Sequence, residues 1–239
     1  MISAHKTILF LALFVLTAAI CLSNARSVWH PVYSALVGRR TTADVLAELR
    51  EPLEAHWAAA CAEAGIAFPP SGVVLLGMKE ERSLELWGRS EDADWARLAT
   101  YPILAASGSA GPKLLEGDRQ VPEGVYAIEG LNPNSAFHLS LKIGYPNAFD
   151  REQADREGRS NLGGDIFIHG KAVSVGCLAI GDRAVEEVFY LVARAGCEKA
   201  RVVIMPHDLR VQEDVEIPEG REWTRELYAG VRDALIPFD

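Results

Sequence analysis

The most informative stretch of this sequence is residues 165–180, which read DIFIHGKAVSVGCLAI. An apolar run ends at His169-Gly170, and a short loop leads to Ser174-Val175-Gly176-Cys177, after which we expect a helix. A thiol becomes a good nucleophile when it loses its proton, and a nearby imidazole can take that proton. The stretch therefore offers Cys177 as a nucleophile and His169 as its base.

The same loop also offers hydrogen-bond donors for acyl transfer. Gly176 has no side chain, so backbone can approach a substrate carbonyl closely, and the amides of Gly176 and Cys177 would donate to an oxyanion. The alternative is ordinary packing, since cysteine is among the most buried residue types and His-Gly is common in turns. A third interpretation is a zinc site made by Cys177, His169 and His207, although their spacing matches no zinc signature.

Composition limits the function classes. The chain has 239 residues, 49% of them hydrophobic, which is enough for a sizeable core in one or two domains. The formal net charge of -9 argues against a nucleic-acid partner, which requires a basic surface. No sequence pattern indicates a cofactor, and we expect none.

The N-terminus predicts export. Residues 7–22 are almost wholly apolar and follow His5-Lys6, and the polar Ser23-Asn24-Ala25 resembles a small-residue cleavage site. We expect residues 1–25 to be a signal peptide or an N-terminal membrane anchor. Either one places the remainder outside the cytoplasm, in the periplasm or the cell envelope.

An export signal affects how the four cysteines are interpreted. Cys21 falls within the export segment, and Cys177 is the candidate nucleophile. Cys61 and Cys197 remain, and in an oxidising compartment they form either a disulfide or two free thiols.

Hydrophobic periodicity predicts a strand-rich region between helices. Residues 41–64 and 223–235 carry apolar side chains at helical spacing, although Pro52 is expected to kink or split the first helix. Short apolar runs at 73–78 and 84–87 predict a hairpin, and further runs continue to residue 206. We therefore divide the chain into segments 1–25, 26–70 (a tether and N-terminal helix), 71–207 (the strand-rich domain) and 208–239 (a C-terminal helical extension).

One strand has a strict alternation that bears on the site. Phe137, Leu139, Leu141 and Ile143 are predicted to face the core, and His138, Ser140 and Lys142 to face the other side. If that side borders the cleft, His138 and Lys142 contact substrate; otherwise it is a solvated sheet face.

Two helices are also predicted around the loop. Residues 150–159 are highly charged and predict an exposed helix, and Asp182 is placed to cap a helix that Gly196 ends.

The order His169-Gly170, loop, Ser174-Val175-Gly176-Cys177 resembles the signature of the YkuD-type L,D-transpeptidase domain. Further stretches are similar to the YafK-like branch of this family: Leu84-Glu85-Leu86-Trp87, Gly111-Pro112-Lys113, Glu116-Gly117-Asp118-Arg119-Gln120, Pro122-Glu123-Gly124, Asn132-Pro133-Asn134-Ser135 and Ile143-Gly144-Tyr145-Pro146-Asn147.

The resemblance implies a mostly β (α+β) fold, a mixed β-sandwich with flanking N- and C-terminal helices and the cysteine at its cleft. It implies that residues 71–207 are a catalytic domain acting on peptidoglycan stem peptides, with a wall-attached lipoprotein as a further partner. Matched by motif, Cys177 is the nucleophile, His169 the base oriented by a backbone carbonyl, and Gly170, Ser174 and Gly176 belong to the loop and oxyanion site.

Two departures leave the balance between joining and cutting open. Ala179-Ile180 stand where many relatives have an arginine, and the loop between His169 and Cys177 is short. Tyr145 and Asn147, beside Pro146, are candidates to bind the stem peptide, although Tyr-Pro-Asn is also a good structural turn. The alternatives to a transpeptidase are an amidase or carboxypeptidase of the same fold and a non-catalytic wall-peptide binding module.

Overall fold

A computed structural model describes residues 38–212 and 214–238, so the predicted export segment lies outside the described residues. The helices are α1 (Thr42–Glu63), α2 (Ala148–Arg156), α3 (Asp182–Ala195) and α4 (Thr224–Leu235). The strands are β1 (Gly72–Met78), β2 (Ser83–Arg89), β3 (Ala96–Pro102), β4 (Ala105–Ala106), β5 (Gly124–Ser135), β6 (His138–Ile143), β7 (Phe167–His169), β8 (Leu178–Ala179) and β9 (Ala200–Met205).

The described strands form one sheet in the order β3-β2-β1-β9-β5-β6-β7-β8-β4. The predicted hairpin is confirmed, since β1 and β2 are antiparallel with Met78 paired to Ser83. The long strand β5 pairs with β9 through residues 124–127 and with β6 through residues 128–135. It therefore joins the half of the sheet that holds the hairpin to the half that holds β7 and β8.

Alternating side chains bury the central strand β1 on both faces. Val73 and Leu75 point into a large apolar cluster that includes side chains of α1 and α3. Val74 and Leu76 point into a second cluster on the opposite face, which α4 covers. The expected α+β class, with strands between N- and C-terminal helices, is confirmed, and these helices complete the core on both faces of the sheet.

The first helix begins as its sequence predicts. The Thr41 hydroxyl accepts from the Asp44 amide at 3.1 Å and the Asp44 carboxylate accepts from the Thr41 amide at 2.7 Å, which is a capping box. Pro52 does not split the first helix, because α1 continues through it. Pro52 is exposed, and buried side chains on either side of it, Val45 and Trp57 among them, hold the helix as one element.

Two further observations concern expectations from the sequence. Cys61 and Cys197 are both free thiols, so they form no disulfide. Within residues 38–212 and 214–238, no helix combines the length and apolar character needed to cross a membrane.

Candidate active site

His169 is the last residue of β7 and is almost fully buried. Its Nδ1 lies 2.6 Å from the carbonyl oxygen of Gly170. A carbonyl oxygen can only accept a hydrogen bond, so Nδ1 must carry the proton and Nε2 keeps its lone pair. The imidazole therefore has one unprotonated nitrogen with which to act as a base.

Cys177 lies just before β8 and is half-buried. The Phe167 amide donates to its Sγ at 3.4 Å, and the thiol lies 3.8 Å from the Asp165 carbonyl oxygen to which it donates. Both contacts tie the sulfur to the start of β7, the strand that ends in His169.

The strand register relates the two side chains. β7 and β8 are parallel, with Ile168 opposite Leu178 and His169 opposite Ala179. Paired residues point to the same face of a sheet, and alternation returns a side chain to that face every second residue. Cys177 lies just outside β8, two residues before Ala179, and its Sγ accepts from the Phe167 amide, so the thiol lies at the start of β7, the strand that ends in His169. Ile168 and Leu178 point into the core instead.

The electrostatic surroundings favour the neutral form of both groups. Burial lowers the pKa of His169 below its ordinary value, and the hydrogen bond to Gly170 opposes this only in part. Burial raises the pKa of the Cys177 thiol; the Phe167 amide lowers it, the Asp165 charge raises it further, and the Lys113 charge lowers it. Near pH 7 we therefore expect a neutral thiol and a neutral imidazole, rather than a stable ion pair.

These directions predict a broad pH profile for Cys177 reactivity. A lowered pKa keeps His169 unprotonated. The alkylation of Cys177 by iodoacetamide should therefore decline only below pH 6.5, the ordinary pKa of histidine. Thiolate absorbance, measured as the difference between the native chain and Cys177→Ala, should develop only above the ordinary thiol value of 9.0. Thiolate absorbance already present at pH 5 would contradict a neutral pair.

The two amides expected to form the oxyanion site are hydrogen-bonded to serine hydroxyls. The Gly176 amide donates to Ser107 Oγ at 2.6 Å, and the Cys177 amide donates to Ser174 Oγ at 3.1 Å. Ser107 in turn donates to the Arg119 carbonyl at 2.7 Å. A substrate carbonyl must displace these hydroxyls to reach both amides. Sequence reasoning missed Ser107, because it lies 69 residues before Gly176 and belongs to no motif.

Gly170 lies in a tight space behind His169. A Cβ at this position would lie 2.6 Å from Asp182 Oδ1 and 2.6 Å from the Phe137 carbonyl oxygen. Asp182 Oδ1 accepts from the Lys171 amide at 2.9 Å, and Oδ2 pairs with the Lys171 ammonium. Asp182 was expected to cap α3, but the N-cap residue is Gly181, which has no side chain and makes no side-chain capping hydrogen bond. The carboxylate binds the turn after His169 instead.

The Gly170→Ala substitution should disturb the base. A methyl group cannot fit against the Phe137 backbone, so we expect a loss of stability of about 1–3 kcal/mol from overpacking. Displacement of the Gly170 carbonyl should also slow the acylation of Cys177 by roughly 10²-fold. Gly130→Ala is the matched control, because a Cβ there meets nothing within 4 Å. Thermal unfolding and the acylation rate measure the two effects, and equal behaviour of the two variants would contradict this account.

The prediction that Phe137 faces the core was wrong. Its side chain is 37% exposed, and its ring lies 4.6 Å from the His169 ring, centroid to centroid. His138 has a positive φ of 78°, so the alternation of β6 begins only after it. Leu139, Leu141 and Ile143 are buried as predicted. Phe137 therefore covers the imidazole, a role that the alternation pattern alone concealed.

The side of β6 opposite the core shares a face with the site. Ser140 is opposite His169 and Lys142 is opposite Phe167 in the antiparallel ladder. Both candidate substrate contacts of β6 have acidic partners: His138 Nε2 lies 2.6 Å from Glu186, and Lys142 Nζ lies 3.3 Å from Glu129. Lys142 is the more exposed of the two.

Tyr145 and Asn147 have structural roles in place of the expected substrate contacts. Tyr145 is buried, and its hydroxyl donates to the carbonyls of Lys113 and Leu162 at 3.3 Å each. Asn147 caps α2: its side chain accepts from the Asp150 amide at 2.9 Å and donates to the Val125 carbonyl at 3.1 Å. Their polar groups are satisfied within the protein, and we do not retain them as substrate contacts.

Two other expectations concern the surroundings of Cys177. The residues after it form the short strand β8, and α3 begins only at Asp182, so the cysteine does not open a helix directly. His207, considered as a zinc ligand, instead donates from Nε2 to the Gln212 carbonyl oxygen at 3.0 Å. Among the described residues, no three His, Cys, Asp or Glu side chains converge as a metal site would require.

The comparisons with known proteins agree with the sequence motif. Residues 79–204 match the family model of the YkuD domain, described as the L,D-transpeptidase catalytic domain. This match covers more than half of the chain, so the chain belongs to the YkuD family. The recognition of this family is thereby confirmed.

A curated relative is "Putative L,D-transpeptidase YafK" of Escherichia coli (strain K12), with 36% identity over 141 residues, covering 57% of this chain and 54% of that protein. The chain thus spans about half the length of this relative. Among solved structures, the helical cell shape determining protein Pgp2 of Campylobacter jejuni is 23% identical, covers 63% of this chain and 55% of its own, and has a TM-score of 0.47. Bdellovibrio bacteriovorus Bd1075 is 20% identical, with coverages of 70% and 56% and a TM-score of 0.42.

Proposed function

We propose that this chain is a cysteine acyltransferase that acts on peptidoglycan stem peptides in the cell envelope. Cys177 attacks the carbonyl on the L-centre of a diamino acid, and the group beyond that carbonyl leaves. The single observation that carries the proposal is the placement of His169, whose Nδ1 lies 2.6 Å from the Gly170 carbonyl oxygen. Its Nδ1–H is held by the Gly170 carbonyl, which leaves Nε2 free on the strand beside the cysteine.

The proton and acyl group balance in two steps. In the first, Nε2 of His169 takes the thiol proton as sulfur bonds to the carbonyl carbon, and the imidazolium then protonates the departing amine. A thioester to Cys177 results. In the second, an amine or water attacks the thioester and gives its proton to His169, and the thiol is restored.

The loop amides supply the electrostatic stabilisation in this scheme. The substrate oxygen takes the place of the Ser107 and Ser174 hydroxyls on the amides of the adjacent residues Gly176 and Cys177. Because the hydroxyls occupy these amides beforehand, the donors are already oriented and no buried N–H is left unpaired between turnovers.

The same thioester supports two outcomes. Transfer to an amine gives a cross-link or attaches a wall lipoprotein, and transfer to water makes the chain an amidase or carboxypeptidase that releases wall-bound protein or D-Ala. The contrasting hypothesis is a binding module that recognises wall peptides without cleaving them. The raised pKa of Cys177 fits either enzyme, since His169 must still deprotonate the thiol for any reaction.

Intact mass measurement tests the proposal. The full chain is incubated with a disaccharide-tetrapeptide fragment that contains a diamino acid, with and without an added amine acceptor. We expect a covalent adduct on Cys177, and the released products then separate transfer from hydrolysis. Bound but chemically unchanged fragment would instead identify a binding module and overturn the enzymatic proposal.

A further inference from the structure

The peptide group that joins Gly170 to Lys171 is hydrogen-bonded on both sides. Its carbonyl oxygen accepts from Nδ1 of His169 at 2.6 Å, and its N–H donates to Asp182 Oδ1 at 2.9 Å. A peptide group is planar and conjugated, so fixing its N–H also fixes its carbonyl. A carboxylate on the N–H further polarises the group and makes its carbonyl a stronger acceptor.

We propose that Asp182 is a positioning residue for His169 that acts through this single peptide group. It holds the Gly170 carbonyl on Nδ1, keeps Nε2 unprotonated and increases the basicity of the ring. The arrangement serves the purpose of the carboxylate in a Ser-His-Asp triad, with one amide interposed between acid and imidazole. The inference rests on the proposed role of His169 as the base of Cys177.

The packing around Asp182 supports this role. Its Oδ1 lies 2.6 Å from where a Cβ of Gly170 would be, so the carboxylate is seated directly against that residue. Its Oδ2 pairs with the Lys171 ammonium, and Lys171 has a positive φ of 61°, a conformation that non-glycine residues rarely adopt. The carboxylate thus binds both the amide and the side chain of Lys171, which holds the turn in the one conformation that aims the carbonyl at Nδ1.

The charge needed for this role is present at neutral pH. Burial alone would raise the pKa of Asp182, but the hydrogen bonds from the Lys171 side chain and amide outweigh it, and the pKa lies below its ordinary value. The other charged group that acts on Asp182 is His138, which is itself paired with Glu186. Asp182 also begins α3, where the helix dipole favours an anion.

Nitrogen NMR of the His169 ring tests the proposal without any substrate. In the native chain we expect a protonated Nδ1 and an unprotonated Nε2. In Asp182→Ala we expect the opposite tautomer to appear and the His169 pKa to fall. Asp182→Asn keeps an oxygen for the Lys171 amide but removes the charge, so it should keep the tautomer and lower the pKa by less.

Glu186→Gln is the matched control. It removes the same charge four residues later on the same helix but makes no bond to the Gly170–Lys171 peptide. Its His169 spectrum and titration should match those of the native chain. Alkylation of Cys177 by iodoacetamide at neutral pH provides a second readout, and we expect a loss of roughly tenfold in Asp182→Ala, the size of one lost charge-assisted hydrogen bond.

The outcomes are decisive in both directions. An unchanged His169 tautomer and pKa in Asp182→Ala, or an equal change in Glu186→Gln, would overturn the role of Asp182. If Asp182→Ala does not fold, an unchanged His169 pKa in Asp182→Asn would overturn the role of Asp182. Neither the NMR titration of His169 nor the alkylation of Cys177 requires a wall peptide. Absence of turnover would therefore overturn the proposed function without deciding the role of Asp182.

Discussion

Replacing Cys177 with alanine is expected to abolish the covalent adduct with a stem-peptide fragment and to lower turnover by roughly 10⁴-fold or more. The reason is that the acyl group then has no sulfur to bond to, while the loop amides and the imidazole remain. The side chain is half-buried and forms only weak sulfur hydrogen bonds, at 3.4 Å and 3.8 Å. We therefore expect the variant to fold with a loss of stability of about 1 kcal/mol or less.

Cys197→Ala is the control for this experiment. Cys197 is also a half-buried free thiol, but it lies in the turn after α3. Intact mass should show the adduct in this variant and none in Cys177→Ala, and thermal unfolding should show that both are folded. Turnover that survives in Cys177→Ala, or an adduct that disappears in Cys197→Ala, would remove Cys177 as the nucleophile.

The parts of this fold that the sequence predicts are those governed by local periodicity. The hairpin of β1 and β2, the cap of α1 and the buried side chains of β6 follow from alternation, turn residues and capping chemistry. Phe137 departs from the pattern because a positive φ at His138 breaks the alternation. The presence of a histidine at position 138 does not by itself predict that backbone conformation. Pro52 departs because tertiary packing on both sides of it outweighs one missing hydrogen bond.

In the candidate site, too, local sequence predicts some residues, and others depend on the tertiary fold. His169, Gly170 and Cys177 lie within nine residues, at the end of β7 and just before the adjacent strand β8, in an order that the sequence itself displays. Ser107 reaches the loop across 69 residues of chain, so its role depends on the tertiary fold. Asp182 is nearer in sequence, yet its position at a helix start made capping the natural expectation. The direction of the Asp182 carboxylate decides whether it caps α3 or binds the Lys171 amide, and hydrophobic periodicity does not predict that direction.

Replacing His169 with glutamine is expected to slow acylation of Cys177 near neutral pH by about 10²- to 10⁴-fold, because the thiol then loses its proposed base. Burial raises the pKa of Cys177, so little thiolate exists at neutral pH without a base. Hydroxide can take the place of the imidazole at high pH. The alkylation rate of the variant should therefore approach that of the native chain once the pH exceeds the thiol pKa, and a misfolded variant would not show this recovery.

His207→Gln provides the matched control, since His207 is also a buried histidine but bonds to the Gln212 carbonyl, away from Cys177. Rates of iodoacetamide alkylation across a pH series, with the adduct located by peptide mass, should separate the two variants. His207→Gln should follow the native profile, whereas His169→Gln should lose the neutral plateau and keep only the alkaline limb. An unchanged rate at pH 7 in His169→Gln would mean that another group removes the thiol proton, and the scheme built on the Gly170 carbonyl and Nε2 would fail with it.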